Sequence, residues 1–352
     1  MTLGAVLRWV LEHNARPFLP NRSRIQTEDG LGGPRREIAF AIITAGALLG
    51  VLSAQVAVDT RPLAAVKEPA RPVTNLRVDT RLVLVPVSVC DPQNRPVTGL
   101  EKEHFKVFDD KVEQTVTHFA MEDEPVAVGL VFDISGSMGD KLRLSRLAAS
   151  KFFDTANPED EFFLVEFNDQ PRVVVPLTRD FEEIQNQLTF AQSKGRTALL
   201  DAIFLAMHEM KKSQKTRKAL LIISDGGDNS SRYTESEVRN RVRESDLLIY
   251  AMGVYEGAGA RGRTPEEAAG PGLLSELAEQ SGGRHYPVNA NEMPDIAAKI
   301  GIELRNRYVL GYSPTDKQRD GRYHRVQIKL APPQGLPTLK AHWRLGYYAP
   351  AD

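Results

Sequence analysis

Residues 128–139 read V-G-L-V-F-D-I-S-G-S-M-G. An uncharged apolar run ends abruptly in a carboxylate, Asp133, and two hydroxyls follow at alternate positions, Ser135 and Ser137. A short continuous apolar run closed by turn residues is the pattern of a strand buried on both faces. Three hard oxygen donors therefore sit where a strand gives way to a turn, so the chain can aim them at one point. Hard oxygens are the ligands that Mg²⁺, Mn²⁺ or Ca²⁺ prefer.

Outward from this stretch, apolar runs alternate with amphipathic ones. The pattern predicts strands over 126–132, 161–167, 172–177, 218–224, 247–255 and 284–288. It predicts helices over 140–154, 181–188, 198–212, 234–245, 273–280 and 293–306. Thr234 followed by Glu237 is a capping-box start for the fourth helix. N-D-Q-P at 168–171 is short enough to make a hairpin of the second and third strands. Apolar strands between helices mean an α/β fold: a mostly parallel six-stranded sheet covered on both faces, with one antiparallel edge.

Both flanks of this region are β-like. Residues 81–90, 105–108 and 112–119 read as strands before it, the last two as a hairpin around Asp109-Asp110-Lys111. Residues 308–312, 323–330 and 339–347 read as strands after it. Neither flank is long enough to bury a core alone. The expectation is that 76–120 and 307–350 pair into one small β domain, with the α/β domain (125–306) inserted between them.

The N-terminal part differs in kind. Residues 1–37 form a mixed leader with Arg35-Arg36 near its end, and 38–58 carry no charge. That run fits a signal-peptide core or a membrane anchor. Residues 59–75 hold three prolines and read as an extended linker. Either reading of 38–58 sends the remainder out of the cytoplasm, with membrane contact only through that anchor.

Composition narrows the function further. A net charge of −1 over 352 residues gives no bulk attraction to nucleic acid or to an anionic membrane. One cysteine, Cys90, excludes an intrachain disulfide or a Cys-cluster metal site, and it closes an apolar run as a small buried hydrophobe would. G-A-G-A-R-G at 257–262 matches G-x-G-x-x-G but does not open a helix directly, so it reads as a flexible loop bordering the metal face. The basic cluster 211–218 reads as a solvated helix end.

In open parallel sheets, ligands gather at the carboxyl ends of the strands. Asp133 ends the first strand of the sheet, and Ser224-Asp225-Gly226 ends the fourth. Gly195-Arg196-Thr197 precedes the third helix. If the first and fourth strands are neighbours, these loops converge with two carboxylates (Asp133, Asp225) and three hydroxyls (Ser135, Ser137, Thr197). Taken singly, each loop is ordinary turn and cap chemistry. Together they hold too little charge for a closed Ca²⁺ cage and suit an octahedral Mg²⁺ that keeps waters and a vacancy, with Mn²⁺ or Ca²⁺ as substitutes.

These residues, in this order and on these elements, resemble the von Willebrand factor type A (VWA) domain and its metal-ion-dependent adhesion site, D-x-S-x-S followed by a Thr and an Asp. The resemblance covers about 125–305. It implies a doubly wound, Rossmann-like fold, with the serines, and Thr197 in some states, contacting the metal directly and the aspartates acting largely through water. It also implies that the vacancy takes a Glu or Asp side chain from a protein partner. The flanks resemble an exported bacterial subgroup of VWA-related proteins often found in acidobacteria. The expectation is a non-enzymatic, exported adhesion module with no catalytic residue. The alternatives are a metal-dependent phosphoester hydrolase, for which no general base is visible near Ser137, and an envelope structural domain whose metal stabilises loops.

Overall fold

The computed structural model describes residues 82–122, 124–254, 265–315, 320–331, 333 and 335–351. The leader 1–37, the apolar run 38–58, the linker 59–75 and the glycine-rich stretch 257–262 lie outside the described residues. Among the described residues no helix is long and apolar enough to cross a membrane.

Among the described residues four strands come first: β1 (Val83–Cys90), β2 (Phe105–Asp109), β3 (Val112–Gln114) and β4 (Val116–Glu122). Then strands and helices alternate: β5 (Val126–Asp133), α1 (Leu142–Phe153), β6 (Glu161–Phe167), β7 (Pro171–Thr178), α2 (Phe181–Phe190), α3 (Leu199–Glu209) and β8 (Arg217–Ser224). The alternation continues through α4 (Glu235–Glu244), β9 (Leu248–Val254), α5 (Pro265–Ser281), β10 (Arg284–Val288) and α6 (Met293–Arg305). The chain closes on β11 (Arg307–Tyr312), β12 (Tyr323–Leu330), β13 (Lys340–Trp343) and β14 (Gly346–Tyr348).

The central sheet has six strands in the order β10-β9-β8-β5-β6-β7. All neighbours are parallel except β7, which pairs antiparallel with β6 at the edge. Every residue of β5 is buried, because the sheet is covered on both faces. Val126, Val128, Leu130 and Phe132 join a core under α1, α2 and α6. Ala127 and Val131, which point the other way, join a core under α3, α4 and α5. Each valine, leucine or phenylalanine among them contributes roughly 1.5–3 kcal/mol when fully buried. Gly129 interrupts the second set because its neighbours close over it: a Cβ there would lie 2.2 Å from Phe163 Cζ.

The flanking segments form two four-stranded sheets, β13-β1-β11-β4 and β14-β12-β2-β3. Each sheet mixes strands from before and after the inserted region: β1 pairs with β11 and β2 with β12, both antiparallel. Val85, Val87 and Leu310 of one sheet pack with Val107, Val326 and Ile328 of the other. β12 alternates exposed and buried residues with period two, as a strand with one wet face must. Cys90 is buried in β1, and burial pushes its thiol pKa up.

Two predicted strands prove to be two strands each. The run 112–119 breaks at Thr115; β3 pairs with β2, while β4 crosses to the other sheet and pairs with β11. The run 339–347 divides likewise, β13 pairing with β1 and β14 with β12. Strands that switch sheets form the corners of a sandwich, and an apolar pattern runs through such a corner without marking it.

A buried polar cluster joins the α/β region to the sandwich. Glu303 of α6 accepts hydrogen bonds from Ser88 Oγ (2.7 Å), Tyr250 OH (2.9 Å), Tyr286 OH (2.9 Å) and Arg284 (2.9 Å). Arg307, also buried, donates to Tyr250 OH and to the carbonyls of Pro86 and Gly282. Burial alone would raise the Glu303 pKa; the Arg284 guanidinium, with Ser88 and Arg307, outweighs it and holds the carboxyl below its ordinary value.

Candidate metal centre

β5 and β8 are parallel neighbours, with Phe132 opposite Ile223. Their carboxyl ends therefore bring Asp133 and the Ser224-Asp225 turn side by side. Asp133 Oδ2 accepts a hydrogen bond from Ser224 Oγ (2.6 Å), and the same hydroxyl accepts from Gly226 N (3.0 Å). Asp133 Oδ1 accepts from Ser135 N (2.8 Å). The carboxylate is fully buried and held at both oxygens.

Ser135 stands at the N-cap of a short 3-10 helix, Gly136–Lys141, in extended backbone geometry. Its hydroxyl makes no capping bond; it lies 3.0 Å from Ser137 Oγ instead. Ordinary cap chemistry does not account for that orientation, because a capping serine turns its oxygen onto the helix N–H groups. Ser135 is buried and Ser137 exposed, so the pair leads from the interior to the surface.

The third loop is tied to the first two through its backbone. Gly136 N donates to Gly195 O (3.0 Å), and Lys194 N donates to Ile134 O (2.9 Å). Ser193 Oγ donates to Ser135 O (2.6 Å) and accepts from Gly139 N (3.0 Å). Thr197 N donates to Asn229 Oδ1 (2.9 Å), while Thr197 O accepts from Asn229 N and Ser230 N. The loops carrying Asp133, Thr197 and Asp225 thus meet at one edge of the sheet. The hydroxyls of Ser135 and Ser137 are in contact, and Asp133 and Asp225 are close enough for their charges to interact.

Outer residues of the cluster organise it. Asp228 Oδ2 accepts from Leu200 N (2.9 Å) and Ser231 Oγ (2.6 Å), which caps the start of α3. Asp201 Oδ1 accepts from Arg232 N and Tyr233 N, a structural role in the loop before α4. Gly226 has φ +83°, a left-handed conformation that favours glycine. A Cβ on it would lie 3.0 Å from the Gly270 backbone, so α5 passes close beneath the Asp225 turn.

Sequence reading missed Lys141. Its Nζ lies 3.3 Å from Asp225 Oδ2, with both side chains largely buried. It sits at the end of the 3-10 helix, where a lysine reads as a solvated residue. Ser193 and Ser224 were equally invisible as clamps, because their partners are distant in sequence.

The electrostatics call for a cation. Burial, and then the like charge of Asp225, push the Asp133 carboxyl up to about 7. Its hydrogen bonds pull the other way without compensating. Lys141 is paired with Asp225, and the Ser135 and Ser137 hydroxyls lie in the loop that follows Asp133, so the donors at this edge are all oxygen. That set fits a hard divalent ion.

Residues 128–227 match the von Willebrand factor type A domain family. That stretch is similar to a VWA domain. Relatives match part of the chain at low identity. An uncharacterised protein of Borreliella burgdorferi is 26% identical over 207 residues, covering 50% of this chain and 59% of that protein. Inter-alpha-trypsin inhibitor heavy chain H4 of Bos taurus is 26% identical over 134 residues, covering 34% of this chain and 15% of its own length. The chain thus spans less than two thirds of either relative. Among solved structures, a von Willebrand factor type A protein of Catenulispora acidiphila has a TM-score of 0.46 at 13% identity, covering 78% of this chain and 75% of that one. The vWF domain of the pilus tip protein Mfa5 of Porphyromonas gingivalis has a TM-score of 0.42 at 14% identity, covering 53% and 98%.

Proposed function

We propose that this VWA domain is a metal-dependent protein-binding module. Ser135, Ser137 and Thr197, with Asp133 and Asp225, would hold a Mg²⁺ ion, for which Mn²⁺ or Ca²⁺ could substitute. The ion would supply a coordination position for an Asp or Glu side chain of a partner protein. One observation carries the reading: Asp133 is a fully buried carboxylate beside a second one, its pKa raised to about 7, at the meeting point of three loops. A divalent ion relieves that repulsion, and a site with only two carboxylates still attracts a third.

The chain's own residues prepare the site. Ser224 and the Ser135 amide fix the orientation of Asp133. Ser193 clamps the serine loop, so the hydroxyls are set before any ion arrives. Phe190, 78% exposed at the end of α2, borders the same shallow recess as Ile134 and Lys194. An apolar ring and an ammonium beside the site suit an acidic partner with an apolar neighbour. The uncharged apolar run 38–58 supports a setting outside the cytoplasm for this activity, in the envelope or beyond it.

The test is retention of envelope proteins on the immobilised chain in Mg²⁺, in EDTA, and with Asp133→Ala. The reading predicts proteins retained by the native chain in Mg²⁺ and lost in both other conditions. Retention that survives EDTA and the substitution would contradict it. So would Mg²⁺-dependent turnover of a generic phosphoester that vanishes in Asp133→Ala.

A further inference from the structure

A second cluster of donor atoms lies in the sandwich. β2 ends at Asp109 and turns through Asp110 and Lys111, both at positive φ (45° and 73°), into β3. Two residues at positive φ make a tight hairpin turn, and Asp tolerates that conformation better than most residues. β12 runs antiparallel beside β2, with Val326 opposite Asp109. Asp110 N donates to Arg325 O, and Arg325 N donates to Asp110 Oδ1, each at 2.9 Å. This register delivers His324, largely buried, to the turn.

His324 Nδ1 lies 3.1 Å from Asp110 Oδ2 and 3.5 Å from Asp109 Oδ1. All three atoms fall within 4.8 Å of one another. Asp109 is 5% exposed. Its Oδ2 accepts from Tyr312 OH (3.0 Å) and Tyr347 OH (2.8 Å). Its Oδ1 is buried, accepts no hydrogen bond and faces the cluster. A buried carboxylate oxygen without a donor costs on the order of 1–3 kcal/mol or more. A protonated imidazole gives one proton from Nδ1, and Asp110 is better placed to take it. That would leave Asp109 Oδ1 unsatisfied, whereas a cation between the three atoms satisfies all of them.

We propose that Asp109, Asp110 and His324 form a zinc site, separate from the VWA metal centre, that joins the β2–β3 turn to β12. Ligands about 2.0–2.2 Å from zinc in a tetrahedron stand about 3.4 Å apart, close to the separations here. One imidazole and two carboxylates suit zinc better than magnesium, which rarely takes nitrogen. The other ring nitrogen, Nε2, faces Asp320 Oδ1 at 3.4 Å. A carboxylate behind a ligating histidine fixes its tautomer and orientation. Tyr347 stacks on the ring (centroids 5.4 Å apart, planes at 16°) and holds it in place. The Asp110 side chain is 54% exposed, so the fourth position opens to water. The ion would tie residues 215 apart in sequence and so close the sandwich around the inserted domain.

The experiment is calorimetric titration of ZnCl₂ into the full chain with Mg²⁺ present in millimolar excess. Four proteins are compared: the native chain, Asp110→Asn, His324→Gln and Asp133→Ala. The expected result is one zinc per native chain, with affinity at least about tenfold weaker in Asp110→Asn and His324→Gln and unchanged in Asp133→Ala. Zinc should also raise the melting temperature of the native chain and not that of Asp110→Asn. The Asp110→Asn side chain keeps a carbonyl oxygen to accept from Arg325 N, so this variant tests the site even if His324→Gln fails to fold. No zinc bound, equal binding by Asp110→Asn and the native chain, or loss of zinc in Asp133→Ala would each overturn the proposal.

Discussion

Asp133 carries its ionisation against the local field. With its pKa raised from 3.8 to about 7, the folded metal-free chain holds a proton there that the unfolded chain releases near pH 4. The stability this contributes is complete below pH 4 and is lost as pH rises through about 7. At pH 8 the ionised residue should therefore cost the metal-free fold on the order of 4 kcal/mol. The expected outcome is that Asp133→Asn, which removes the charge and keeps the shape, melts several degrees above the native chain at pH 8 in EDTA and level with it near pH 4. Saturating Mg²⁺ should raise the native melting temperature and leave the variant unmoved. Melting scans at the two pH values check this; a variant less stable than the native chain at pH 8 in EDTA would count against the buried-charge argument. The carboxylate at the end of an apolar strand was readable from D-I-S-G-S alone. Lys141 was not, because its contact with Asp225 spans 84 residues and depends on β5 and β8 being neighbours.

Local signals in the sequence were the dependable ones at the level of elements. Thr234 and Glu237 do form a capping box at the start of α4. The break at Thr115 and the early start of α5 at Pro265 were not legible. Gly270-Pro271-Gly272 reads as a helix breaker, yet α5 runs through it. Gly270 is needed there for a tertiary reason, since a Cβ on it would lie 2.0 Å from Gly226 O. α6 shows the same dependence on partners. Its Glu303 looks like one more helix glutamate, yet it is 1% exposed and binds four side chains from β1, β9 and β10. Removing one partner of a buried ion pair typically costs about 3–5 kcal/mol. Glu303→Ala should accordingly lower the unfolding free energy by that amount, since it strands Arg284 and Arg307. A loss under about 1 kcal/mol in a urea titration, well below that range, would show that the cluster does not hold α6. Because the Glu303 pKa is depressed from 4.5, its contribution is present above that value and is lost as pH falls through its folded one.

Over the whole molecule, the ends of the described chain enclose the middle. β1 finds its partners in β11 and β13, and β2 finds one in β12, all from beyond the α/β region. The burial argument anticipates that pairing, since neither flank holds enough apolar surface alone. The division into two sheets was not readable, because alternation gives each strand a wet and a dry face without saying which sheet it joins. The central claim concerns the carboxyl end of the central sheet, where three loops bring Asp133, Asp225, the paired Ser135 and Ser137 hydroxyls and the Thr197 backbone together. The most direct measurement is calorimetric titration of Mg²⁺ into the metal-free full chain at pH 8, beside Asp133→Ala. The account predicts one saturable Mg²⁺ per native chain and none in the variant, with circular dichroism unchanged between them. Equal Mg²⁺ binding by both proteins would contradict it.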